Sequence, residues 1–111
     1  MTSDNREQVL AQMRKGVLEM CVLAILSKSD AYSNDIIETL QKNHILMVEG
    51  TLYPLLTRMK NQGYLSYRWE ESKSGPPRKY FSITEKGKVH LNTLIGIWNE
   101  FSHSINKLIK Q

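Results

Sequence analysis

Toward the C-terminal end of the sequence, Leu91, Leu94, Trp98, Phe101, Ile105 and Leu108 follow one another at spacings of 3, 4, 3, 4 and 3 residues. That a/d repeat lays one apolar seam along a helix. Thr84, with Glu85 to Lys88, provides a polar opening, and no proline interrupts the run before Lys110. The helix is expected to be about 27 residues and roughly 40 Å long. A chain of 111 residues has room for one domain with a modest core. So small a body cannot cover so long a seam, and the six residues are expected to pair with a second copy, against its first helix. The chain thus divides into residues 1–83 and a dimerisation helix, 84–111.

The remaining pattern predicts three helices and a hairpin. From about Glu7 to Ser27 there is no proline and the residues become almost continuously apolar, which predicts one long helix buried on more than one side. Lys28-Ser29-Asp30 reads as a turn, after which Ser33 caps a second helix with Ile36, Ile37 and Leu40 inward, ending near Asn43. Leu52, Leu55, Leu56 and Met59 define a third helix that stops at Gly63. Proline is tolerated in a first helical turn, so Pro54 predicts a start near Gly50 or Thr51. With the four apolar residues inward, Tyr53, Pro54, Thr57 and Asn61 turn outward, flanked by Arg58. Tyr64 to Glu70 and Arg78 to Ile83 alternate as strands, with Leu65, Tyr67, Trp69, Phe81 and Ile83 on the inner face. They are joined by a polar loop, Glu71 to Pro77. The expected fold is mainly α with a small β hairpin: a winged helix-turn-helix plus a C-terminal dimerisation helix.

Composition narrows the function. Residues 1–50 carry five Lys/Arg against seven Asp/Glu, whereas residues 51–90 carry eight against three. The third helix and hairpin therefore hold more than the whole net excess of +4, one basic face suited to a polyanion. The longest apolar run, Val22 to Leu26, is far short of the roughly 20 residues of a membrane span. The polar N-terminal stretch has no apolar signal core, so a cytoplasmic protein without a membrane partner is expected. Cys21, the one cysteine, reads as a buried structural thiol. His44, His90 and His103 are scattered, and hydrolase, phosphate-loop and metalloprotease motifs are lacking. No enzyme, metal or cofactor is expected.

Helix, helix, helix and hairpin is the order in which the last helix before the hairpin enters the major groove of double-stranded DNA. The residues point further. Gly50-Thr51-Leu52-Tyr53-Pro54-Leu55-Leu56 and Gly75-Pro76-Pro77-Arg78-Lys79-Tyr80 closely resemble the two signature stretches of the PadR family of bacterial transcriptional regulators. Arg14-Lys15-Gly16-Val17-Leu18-Glu19 and Thr84-Glu85-Lys86-Gly87 fit the same pattern. One departure is Ser33-Asn34-Asp35, where members more often carry Gly-Tyr-Glu. The resemblance, strongest to the short multidrug-responsive members with a single C-terminal helix, implies a DNA-binding homodimer, usually a repressor, relieved by a small ligand or stress signal. Thr51 and Tyr53 are expected to donate to phosphates, Thr57 and Asn61 to reach base edges, and Arg58 to do either. Packing within the domain is the other reading of Tyr53. Ser33 and Pro54 complete that surface. In the wing, Lys73 and Arg78, then Lys79, are expected on phosphate or the minor groove, against a plain solvated turn as the alternative.

Short PadR-like proteins as a group bind flat hydrophobic compounds at the dimer interface, some with a tryptophan at the place of Trp98. By that resemblance Trp98, Leu94, Ile95, Met13 and Met20 line a pocket for a planar hydrophobic effector; plain dimer core is the other reading of each. Two rival functions stay open: a winged-helix protein-interaction adaptor, and a hydrophobic-ligand-binding protein without operator recognition.

Overall fold

A computed structural model describes residues 3–111; Met1 and Thr2, at the head of the polar N-terminal stretch, lie outside the described residues. The elements run α1 (Ser3–Arg14), α2 (Leu18–Leu26), β1 (Ala31–Tyr32), α3 (Ser33–Lys42), α4 (Glu49–Asn61), β2 (Leu65–Ser72), β3 (Gly75–Ile83) and α5 (Glu85–Lys110). This is a mainly helical winged-helix fold with a small antiparallel sheet in the order β1-β3-β2. Among the described residues no helix is long and apolar enough to cross a membrane.

One core binds the elements. Val22, Leu23 and Leu26 of α2, Ile36 and Leu40 of α3, and Leu52, Leu56 and Met59 of α4 are buried at its centre. Leu65 and Phe81 close it from the sheet and Leu91 from α5. The apolar periodicity of the second and third helices was the correct guide, because each buries a single stripe.

Both helices stop in the same way. At the end of α4, Gly63 adopts φ +87°; its N–H bonds Lys60 O, and the Tyr64 N–H bonds Met59 O at 3.0 Å. At the end of α3, His44 takes the same left-handed conformation, φ 62°, with its N–H on Gln41 O and the Ile45 N–H on Leu40 O. These are paired Schellman closures, the first on the expected glycine and the second on a histidine.

The structure corrects several local expectations. The single long N-terminal helix is two, α1 and α2, separated by a turn at Lys15-Gly16-Val17. Glycine and a β-branched residue in succession weaken the helix there, and the Val17 N–H closes the turn on Arg14 O. Only α2 is buried on several sides; α1 leaves Val9, Leu10 and Met13 exposed. Ser33 is not the cap of α3. Tyr32 is, its amide donating to the Asp35 carboxylate, while Ser33 opens the first turn. Pro54 lies in the second turn of α4, which starts at Glu49, one or two residues earlier than expected. The helix continues through it, although proline leaves the Gly50 carbonyl without its intrahelical amide.

The loop expected from Glu71 to Pro77 is mostly strand: β2 and β3 run on to Ser72 and from Gly75, leaving Lys73-Ser74 as the turn. Pro76 and Pro77 fit because the ladder is irregular between Glu70 and Ser72, and β1 pairs only with Tyr80 and Phe81. The two-residue β1 was too short to read from alternation. Cys21 is half-buried rather than buried, and burial pushes its thiol pKa up.

The start of α5 is fixed by one tight contact. A Cβ on Gly87 would lie 2.2 Å from the Tyr64 carbonyl oxygen and 2.8 Å from Ile83 Cγ1. Replacing Gly87 with alanine therefore forces α5 away from the wing. We expect Gly87→Ala to lower stability by about 1–3 kcal/mol, read as a reduced midpoint in chemical denaturation.

Candidate nucleic-acid interface

The outer side of α4 is an arc of exposed residues with two flanks. Along its crest Tyr53, Pro54, Thr57, Arg58, Asn61 and Gln62 line one open depression. On one flank Thr51 and Arg58 face the α1–α2 turn and share a cleft with Lys15 and Glu19. On the other, Tyr53 faces the wing and shares a notch with Arg78 and Lys79. The expected helix residues thus come together, in three zones rather than one. Lys15, not assigned from the sequence, joins them.

Ser33 stands apart. It is 7% exposed, and its hydroxyl lies 3.0 Å from the Tyr53 hydroxyl, tying the start of α3 to α4. Ser33 therefore bears on the surface through Tyr53. The reading of Tyr53 as packed within the domain holds in part, since its hydroxyl has an internal partner while its ring is half-exposed.

The wing has two chemically different faces. Tyr67 opposite Phe81 and Trp69 opposite Lys79 share one of them. There the Lys79 ammonium sits 4.2 Å from the Tyr67 ring centroid, with Lys60 of α4 5.6 Å from the same ring. The inner-face alternation is real, but burial fades along it: Leu65 is 3% exposed and Trp69 62%. On the opposite face Arg68, Tyr80, Glu70 and Arg78 pair. Arg78 turns its guanidinium over the Tyr32 ring, 4.7 Å from the centroid. Lys73 stands exposed at the tip.

Arg68 was missed by the sequence reading, because its role depends on a contact across the fold. It donates to the Asp30 carboxylate before β1 and, 2.9 Å away, to Glu70 on its own strand. The hydrogen bond from Arg68 holds the Asp30 carboxyl below its ordinary pKa. One arginine thereby offsets half of the charge of two carboxylates beside the wing, which weakens the opposition that Glu70 would offer to a phosphate.

A helix with a polar outer arc, beside a basic β wing, is the arrangement that reads duplex DNA. The sequence pattern described as "Transcriptional regulator PadR-like family" matches residues 22–93. The chain belongs to the PadR-like family of transcriptional regulators. It is similar to a PadR-like transcription factor from Bacteroides fragilis, at 50% identity over 91% of this chain and 98% of that one, with a TM-score of 0.77. A PadR family transcriptional regulator from Eggerthella lenta is 31% identical over 96% of this chain and 93% of its own, TM-score 0.87. A PadR-like transcriptional regulator from Bacillus cereus is 37% identical over 90% and 98%, TM-score 0.81. This PadR-like chain is accordingly a DNA-binding regulator, from a family of transcription factors.

The Asp30–Arg68 pair gives a pH signature. A carboxyl whose folded pKa is depressed adds stability above its unfolded pKa and loses it as pH falls through the folded value. Both partners are largely exposed, so the effect is small and screened by salt. Asp30→Asn should lower the denaturation midpoint slightly at neutral pH, and the gap from the unsubstituted protein should close in acid. Urea titrations across the acid range check this.

Proposed function

We propose that this regulator is a repressor that binds an inverted-repeat operator as a homodimer and is released by a small hydrophobic or aromatic effector. The observation that carries the reading is the bare strip of α5. Leu91 is 7% exposed and Leu94 half-buried, but Trp98, Ile105 and Leu108 stand out of the body, with Phe101 60% exposed. An apolar strip of that length on a small domain needs a partner, and a second copy burying the same strip is the simplest one. On this reading residues 1–83 form the DNA-binding unit and 84–111 the dimerisation helix. The exposed apolar side of α1 offers the partner's α5 a second surface.

A twofold dimer presents two α4 helices to successive major grooves, hence the inverted repeat. Thr57 and Asn61 on the crest read bases; Thr51, Tyr53, Arg58, Lys73, Arg78 and Lys79 hold backbone, with Pro54 in contact. Trp98 and Ile95 stand exposed beside Leu94. A flat apolar compound stacked there, with Met13 and Met20 adapting to it, lies between helices of the two copies and alters their spacing. It shifts DNA affinity only by its differential affinity for the two dimer states.

Sedimentation of the full chain should give a dimer, and Phe101→Glu a monomer that remains helical; a monomeric unsubstituted chain refutes the dimer. In binding assays on its own upstream region, Arg78→Ala should weaken all sequences alike. Thr57→Ala or Asn61→Ala should instead change preference among operators by about 1–3 kcal/mol per altered base pair. Planar hydrophobic dyes should quench a tryptophan signal that Trp98→Ala removes and should lower operator affinity.

A further inference from the structure

Between α4 and the wing lies a notch of about 280 Å³. Phe81, the linked Ser33 and Tyr53, and Trp69, Arg78 and Lys79 are among the residues that line it. Its two cations are held by aromatic rings: Lys79 lies 5.4 Å from the Trp69 ring centroid and Arg78 4.7 Å from that of Tyr32. A ring orients a cation without cancelling its charge. Among the described residues the salt bridges leave both cations without a carboxylate partner. Of the acids nearby, Asp30 and Glu70 are engaged with Arg68 and Asp35 with the Tyr32 amide, while Glu71 stands exposed further along β2. The Asp35 contact places an anion at the start of α3, so the side chains, not the helix end, supply the attraction.

Trp69 is the unexplained member. An indole 62% exposed on a wing forgoes burial that tryptophan normally finds, and neither the core nor the dimer strip uses it. Either hydroxyl can be the donor of the Ser33–Tyr53 bond; in the arrangement in which Ser33 donates, the Tyr53 O–H is free to donate outward into the notch. Two cations and a hydroxyl donor select a phosphodiester, and the group covalently next to a phosphodiester is a deoxyribose with an apolar C–H face. We infer that Trp69 is the wall against which one deoxyribose of the bound strand packs, while Arg78, Lys79 and the Tyr53 hydroxyl hold its phosphate. This rests on the DNA-binding reading of the α4 and wing surface and adds to it a sequence-independent apolar contact.

The test uses the full-length protein and a mixed-sequence duplex of about four helical turns at low salt. Trp69→Ala should reduce affinity roughly fivefold to tenfold, the loss expected for burying part of an indole, while Trp69→Phe keeps most of it. The salt dependence separates this contact from an ionic one: Trp69→Ala should leave the slope of log K against log salt unchanged, whereas Lys79→Ala lowers it by about one. Acrylamide quenching supplies a readout that does not depend on a variant folding. The Trp69 component, taken as the difference between the unsubstituted protein and Trp69→Phe, should become shielded when duplex is added. Duplex binding with the Trp69 component equally quenchable overturns the inference and leaves DNA binding intact. Failure of the unsubstituted protein to bind any duplex overturns the DNA-binding reading and this contact together.

Discussion

The hydroxyl of Thr84 fixes the relation between the two halves of the molecule. It donates to Gly63 O at 2.6 Å and accepts from the Gly87 N–H at 3.0 Å, while the Thr84 N–H bonds Tyr64 O at 3.0 Å. The end of α4, the start of the wing and the start of α5 are joined there through one residue. Lys86 adds a bond from its ammonium to Gln62 O at 2.7 Å, and His90 stacks on Tyr64 with ring centroids 4.0 Å apart. Each partner has a requirement: a left-handed residue at Gly63, no Cβ at Gly87, and a hydroxyl that both donates and accepts at Thr84. A serine could make the same two bonds; alanine could make neither.

The surface depends on a similar economy of partners. Arg68 gathers the carboxylates of Asp30 and Glu70 on one face of the wing, and aromatic rings hold Arg78 and Lys79 at its edge. The formal charge of this region is modest, yet its cations are sorted so that those beside α4 keep their charge for an external anion. Exposed ion pairs add little to stability. Their effect here is on the field that an approaching phosphate meets.

How much of this was legible depends on the range of the interaction. Leu52, Leu55, Leu56 and Met59 announced α4, because a buried stripe at helical spacing is a local pattern; Gly63 ended it for an equally local reason. The heptad seam of α5 and its Thr84 cap were readable likewise. The end of α3 near Asn43, its C-cap, was legible too, although it is His44 rather than a glycine that adopts the left-handed turn. The break at Gly16 was missed because no proline marks it, and the charged pair Arg14-Lys15 before it is equally at home on a helix surface. The outer arc of α4 was assembled correctly, but its division into a crest and two flanks was not. Lys15 lies 43 residues from Arg58 in sequence, and only tertiary packing brings them to one cleft. The Ser33–Tyr53 and Arg68–Asp30 contacts are equally non-local. A cap was assigned to Ser33 because serine is a good one, and the neighbouring Tyr32–Asp35 pair took that role instead.

The Thr84 junction also determines how a signal at α5 could reach α4. Its hydrogen bonds involve main-chain atoms at the end of α4 and the start of α5, and a rotation between these elements would break them together. In the proposed dimer, therefore, a compound that changes the spacing of the α5 helices moves each DNA-binding unit as a body, with its core unaltered. The bistable element is then the contact between copies, where the exposed side chains of Trp98, Phe101 and Ile105 offer alternative packings. Such a switch needs no path of rearranged residues through the domain. It does need the junction to be stiffer than the interface, a condition that the close backbone contact at Gly87 favours.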